Sequence, residues 1–363
     1  MIRITTGAVT LSLMASTALA GGIERTAQSV APIFESGNYA EISVGSANPS
    51  ITGTAAGQDS GNIGLSFTQV GLAVKTQINE NLSFGLIYDQ PYGADVAYAT
   101  TTTYPLRGLN ASLDSNAVTA LARYTFGNGF GVHAGVRHQT IEANIAVPAA
   151  GGYTATAGSG SGTGYVAGVS YERPEIAMRI ALTYNSEIES THSTSEATTT
   201  PVLASTTDTL ITTPKSWNLE AQSGIAPGTL LFGSVRWVNW SDFSINPALY
   251  NAVTGGPILS YSEDTTTYTL GVGRRLNDDW SVSVSASHEA SGSGTQSNLG
   301  PTNGRTSLAV GARYTMDNVT ISGGVSYVWL GDATTVVSPV GPVLSSFTDN
   351  SAVGVGLKIG VNF

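Results

Sequence analysis

The 363-residue chain has only 11% charged residues, against about 25% in soluble domains, and its 43 glycines exceed the usual share of about 7%. This balance points away from a soluble enzyme. Cysteine is absent, which excludes disulfides and thiolate metal sites, and a net charge of −10 argues against nucleic acid, which needs a basic footprint.

Residues 1–20, MIRITTGAVTLSLMASTALA, read as a signal peptide. Arg3 supplies the basic start, Ala8 to Met14 the apolar stretch, and Ala18-Leu19-Ala20 the cleavage site, so Gly21 begins the mature chain. The stretch is too short for a membrane helix, which needs roughly 20 apolar residues, and no later run approaches that length. Residues 21–37 form a short N-terminal tail in which Ile23, Val30, Ile33 and Phe34 are the apolar anchors.

From residue 38 to 363 the pattern is all-β. Strands are expected near 38–53, 62–78, 82–102, 109–126, 130–146, 160–171, 176–190, 206–224, 229–243, 261–275, 280–291, 304–315, 319–332 and 351–363, about fourteen in all. Between them, very short connections rich in Asn, Asp, Gly and Pro, such as GNG at 127–129 and NDD at 277–279, alternate with longer Thr-, Ser- and Gly-rich ones. VPAAGGYTATAGSGSG and STHSTSEATTTPVLASTTD belong to the longer kind and read as loops. Tight turns on one side and long loops on the other are the marks of a transmembrane antiparallel β-barrel in a Gram-negative outer membrane. Mean hydropathy of +0.08 does not oppose this, because lipid-facing and lumen-facing residues alternate and cancel in any window. A soluble sandwich with similar hairpins explains neither the one-sided loops nor an apolar face that runs to an aromatic terminus.

Parity assigns the faces, since successive side chains of a strand point to opposite sides. Val70, Leu72 and Val74 face lipid with Gly71, Ala73 and Lys75 inside; Trp280, Val282, Val284 and Ala286 face lipid with Ser281, Ser283, Ser285 and Ser287 inside. Val319, Ile321, Val325, Tyr327 and Trp329 also face lipid. The inward set holds most of the basic residues, Lys75, Arg123, Arg137, Arg179, Arg236, Arg275, Arg313 and Lys358. They either pair with lumen acids such as Glu41, Asp89 and Glu220 or form a cationic lining for an acid head group. Arg137 and Arg236 are the candidates for the second role. SAVGVGLKIGVNF, at 351–363, alternates apolar and small residues to its last position, so Phe363 is expected to engage the barrel-assembly machinery as the end of a lipid-facing strand.

Three segments carry a family resemblance: GGIERTAQSVAPIFESGNYAEISVGSANPSITGT, TPKSWNLEAQSGIAPGTLLFGSVRWVNWSDF and YTMDNVTISGGVSYVWLGDATT. Pro214 and Trp217 at a strand start, Trp240 to Phe243 at a strand end, and the terminal strand resemble the FadL-type outer-membrane family, whose members transport long-chain fatty acids and aromatic hydrocarbons. The resemblance implies a fourteen-stranded barrel and a path from an apolar groove among outer loops, into the barrel, and sideways through a gap into lipid. It departs from the family in its tail, which is short for the hatch segment. Asn48-Pro49 and Asn246-Pro247-Ala248 do not lie where that segment's Asn-Pro-Ala motif belongs.

Groove candidates come from apolar patches in outer loops: Leu249, Tyr250, Val253, Ile258 and Leu259 in NPALYNAVTGGPILSY, and Val336, Val337, Val340, Val343, Leu344 and Phe347 in TTVVSPVGPVLSSF. The function these features imply is transport of a long-chain fatty acid or related hydrophobic small molecule, with lateral release into outer-membrane lipid and no cofactor. A general polar-solute porin is the alternative, because the inner faces are hydrophilic; a barrel enzyme is a minor one. For the enzyme, His133, His138, His192 and His288 stand in no nucleophile motif, no G-x-S-x-G occurs, and His133 and His138 fall on opposite faces of one strand, which rules them out as a metal pair.

Overall fold

The computed structural model describes residues 22–337 and 343–363, so the leader at 1–20, Gly21 and Val340 lie outside the described residues. Fourteen antiparallel strands close into a barrel. They are β1 (Tyr39–Ser50), β2 (Phe67–Gln77), β3 (Leu82–Asp89, resuming at Gly93–Ala97), β4 (Asn110–Thr125) and β5 (Phe130–Val147). Next come β6 (Tyr153–Arg173), β7 (Met178–Asn185 with Ile188–Thr199), β8 (Val202–Thr213 with Ser216–Ala226) and β9 (Thr229–Val238). The circuit ends with β10 (Thr265–Arg275), β11 (Trp280–Glu289), β12 (Arg305–Met316), β13 (Val319–Leu330) and β14 (Ser351–Asn362). β14 bonds β13 on one side and β1 on the other, in register from Tyr39↔Asn362 to Ser50↔Ser351. This last pairing closes the sheet on itself, so neither terminal strand is left with a free edge in hydrocarbon, which cannot satisfy backbone polar groups.

Alternation builds this wall. On β2, Val70, Leu72 and Val74 are exposed at 37%, 45% and 48%, while Ala73 and Lys75 are sealed inside. β11 and β13 keep the expected parity too, with Val282, Val284, Ile321 and Val325 on the lipid side. Aromatic pairs mark both membrane boundaries. Tyr124–Phe126, Phe130–Tyr171 and Trp280–Tyr314 lie near the short turns, and Tyr184–Trp217 and Tyr327–Trp329 near the far ends of the strands. In the turn between β4 and β5, Gly129 has φ +88°, and a Cβ there would meet the Glu172 carbonyl at 2.5 Å, so the turn requires glycine.

Two expectations fail. VPAAGGYTATAGSGSG and STHSTSEATTTPVLASTTD are largely strand: β6 begins at Tyr153, β7 runs to Thr199 and β8 begins at Val202. Thr194, Glu196 and Thr198 are buried on one face while Ser193 and Ser195 are exposed on the other. Both faces are polar there, so the period of two is invisible to a hydrophobic pattern, although β-branched Thr favours the extended chain. The strand expected over 82–102 is interrupted at Gln90–Tyr92, where Pro91 has no N–H to give a ladder.

Candidate functional site

The tail crosses the lumen and is held there by side chains from many strands. Glu24 accepts from Arg236, whose Nε lies 3.1 Å from each carboxylate oxygen, and Arg25 pairs with Asp95 and, at 3.6 Å, Asp114. Thr26 donates to Asp89 at 2.9 Å, Asn218 donates to the Ala27 carbonyl at 2.8 Å, and Ser29 donates to Glu220 at 2.9 Å. Gln28 gives its amide to the Tyr92 hydroxyl at 2.8 Å and takes a hydrogen bond from Arg137. Lys75 closes the far end on the Glu35 and Gly37 carbonyls. Ile23 joins a cluster with Trp240, Phe243 and Leu259, while Val30 and Ile33 join Ala73, Ile87 and Leu121. Burying each of these three side chains stabilises docking by roughly 1.5–3 kcal/mol. Burial pushes the Glu35 carboxyl above the ordinary glutamate value, with Lys358, Arg313 and Arg179 pulling against it.

Arg137 and Arg236, expected to face a head group, are therefore engaged by the tail's Gln28 and Glu24. Other lumen charges pair across the wall, as in Arg123–Glu172 at 2.7 Å and Lys358–Glu41 at 3.3 Å. Arg275 keeps its inward parity but sits exposed at the rim, bound to Asp278.

Beside the tail the ladder between β2 and β3 is interrupted. β2 and β3 pair from Gln77↔Ser83 to Leu72↔Tyr88, and Phe67–Gly71 of β2 then have β1 on one side and no strand on the other. Gln90 spans part of the gap: its side chain accepts from the Val70 N–H at 2.9 Å, and its carbonyl accepts from Gln69 at 3.3 Å. The tail supplies the rest. Arg25 N–H donates to the Pro91 carbonyl at 2.7 Å, Gly93 N–H donates to the Ile23 carbonyl at 2.8 Å, and the Arg25 guanidinium lies 4.3 Å from the Phe67 ring centroid. A Cβ on Gly93 would stand 2.2 Å from that guanidinium.

Behind the gap lies a cavity of about 300 Å³, bounded by the tail, by Gln69 and Asp89 near the gap, and by Ser285, Ser287 and Ser322 on the opposite wall. Its lining mixes these small polar side chains with charged ones such as Glu220 and Arg179 and apolar ones such as Ile87, Phe232 and Leu357. Above the tail the mouth is closed by outer segments. Tyr250 and Ile258 pack against a cluster that contains Tyr98, Tyr104, Tyr153 and Phe347, and Ile258 also touches the cluster of Leu259 and Ile23. Leu249 lies half-exposed on α1 (Ala248–Thr254), its N–H and that of Tyr250 bonded to Glu196, whereas Val343 is exposed and stands apart from both clusters. Sequence reasoning missed the polar tail residues Glu24, Arg25 and Gln28 and their partner Asp95; the break itself was signalled by Pro91 within a strand pattern.

Residues 23–363 match the family described as outer membrane protein transport protein (OMPP1/FadL/TodX). The chain belongs to that family. It is accordingly an outer-membrane barrel of a family that transports hydrophobic compounds, and not one of enzymes. Among solved structures, a Pseudomonas aeruginosa FadL homologue superposes with a TM-score of 0.76 at 14% identity, covering 91% of each chain. The Pseudomonas putida toluene transporter TodX gives 0.65 at 14% identity over 95% of this chain and 94% of that one, and the Ralstonia pickettii toluene transporter TbuX gives 0.62 at 14% over 90% of each. At such identities the likeness is one of fold. No curated protein matches the chain in sequence.

Proposed function

We propose that this FadL/TodX-family barrel carries long-chain fatty acids or related hydrophobic compounds from the outer face into the outer membrane, releasing them sideways through the gap between β2 and β3. In this role residues 21–37 act as a reduced hatch. The observation that carries the reading is the interrupted ladder, closed by the tail rather than by a strand. Physical chemistry favours the sideways route. An alkyl chain costs about 0.8 kcal/mol per CH₂ to hold in water, so a water-filled route down the barrel is a poor conduit for it, whereas the gap leads to lipid. Ile258, Leu259, Tyr250 and Phe347 then form the apolar entry, with Leu249 and Val343 at its rim, and Arg137 and Arg236 meet an acid head group once the tail moves aside.

The absence of cysteine makes the test clean. A Gln69→Cys/Gln90→Cys pair, oxidised in cells, should block uptake of a labelled fatty acid, and reduction should restore it. Full uptake through the cross-linked barrel would remove the lateral route. The polar and charged side chains among the cavity's lining support the porin as a second reading, which expects steady ion conductance from wild-type protein in a planar bilayer.

A further inference from the structure

Phe34 is the tail residue whose surroundings suit it least. It touches the apolar cluster of Val30 and Ile33, yet two guanidinium groups lie over its ring, Arg123 at 4.8 Å and Arg179 at 4.7 Å from the centroid, and His133 meets it edge-on at 5.6 Å. Arg179 is only 5% exposed and makes no hydrogen bond or ion pair among the described residues. Arg123 gives one nitrogen to Glu172, but its buried Nε has no partner. His133 Nδ1 and Ser170 Oγ are likewise buried and unpartnered. Ser170 stands opposite Ala181, between the pairs Arg179↔Glu172 and Thr183↔Gly168. A benzene ring can use the cations through its face but offers no in-plane acceptor, so the three groups around it, and Ser170 on the same inward face as Arg179, keep unused capacity.

We propose that Arg123, Arg179, His133 and Ser170 form a binding site for an aromatic carboxylate, which Phe34 occupies as an intramolecular competitor. A ligand ring in place of Phe34 keeps the cation–π contacts, and a carboxylate on that ring satisfies the donors that Phe34 leaves unmet. An aliphatic acid loses the first gain and a neutral arene the second. Access comes from the lumen, since Arg179 also borders the cavity beside Pro32 and Glu35. The inference rests on the transport reading and names one cargo class within it. Because Phe34 is tethered, an incoming acid must outcompete a high local concentration of ring, and its binding displaces the tail.

The test uses full-length protein in detergent with 4-fluorobenzoate, followed by fluorine NMR. Phe34→Ala should bind the probe at least about tenfold more tightly than wild type, because the tethered competitor is gone, and adding Arg179→Ala should abolish the gain. Cyclohexanecarboxylate, with the same charge and no π face, should bind Phe34→Ala about tenfold more weakly than benzoate. Equal binding of the two acids, or no gain in Phe34→Ala, overturns the site. If Phe34→Ala does not fold, wild type labelled with 4-fluorophenylalanine decides. Its Phe34 resonance, assigned by its loss in Phe34→Leu, should shift with saturating benzoate and hold with cyclohexanecarboxylate, and an unmoved resonance overturns the site. Uptake of an uncharged hydrocarbon by wild-type cells reads the transport proposal alone, so failure of either is seen separately.

Discussion

Arg236 and Glu24 lie 212 positions apart in the chain, yet their side chains meet in the lumen at 7% and 12% exposure. Arg236→Glu should therefore weaken docking of the tail by roughly 3–5 kcal/mol, the usual cost of stranding one member of a buried pair. The swap Glu24→Arg/Arg236→Glu should recover most of it. Protease nicking of the tail in detergent checks both, and equal nicking of single and double variants would disprove the latch. Glu35 adds a pH dependence. Its carboxyl is raised by burial, so the docked tail holds that proton more tightly than the free tail does. Docking is then fully supported below about pH 4.5 and weakens as pH rises through the raised value. Hydrogen exchange of tail amides should show this slope in wild type and lose it in Glu35→Gln.

At the scale of the element, parity is the strongest determinant. Val284 and Ile321 stand in lipid, and an arginine at either costs about 2–4 kcal/mol near the midplane, whereas Ser283 and Ser322 face the wet lumen. Folding yields in liposomes should separate Val284→Arg and Ile321→Arg from Ser283→Arg and Ser322→Arg; equal yields would sink the face assignment. The same rule explains what was legible in sequence. Wherever one face meets lipid, as in β2, β11, β13 and β14, alternation located the strand and its inward residues, Arg137 and Arg236 among them. In the outer parts of β6, β7 and β8 neither face meets lipid, so strands made of Thr and Ser passed for loops. Partners were harder still to foresee. Glu24 and Gln28 sit in a tail with no periodicity, and only its contacts in the lumen place them beside the two arginines.

In the whole molecule, wall and plug are separable. The ladder that closes the barrel begins at Tyr39, so removing residues 22–36 leaves every β1 pairing intact while taking away the side chains that fill the lumen. What remains inside is the space bounded by Ser285, Ser287, Ser307 and Ser322 on β11 to β13 and by the charged side chains near them, which water and ions can enter. Deletion of residues 22–36 should therefore turn a protein of low conductance into one with clear single-channel steps in a planar bilayer. Hydrophobic uptake should not rise with it. A ten-carbon chain in a water-filled lumen would still face roughly 8 kcal/mol of unfavourable hydration, at about 0.8 kcal/mol per CH₂. The lateral reading thus expects the two measurements to part: ion flow increases, while uptake of a long-chain compound stays level or falls because the tail no longer shapes the gap at Gly93 and Pro91. If wild type already conducts as freely as the deletion, and passes small polar solutes without any hydrophobic uptake, the barrel works as a porin and the lateral route is wrong.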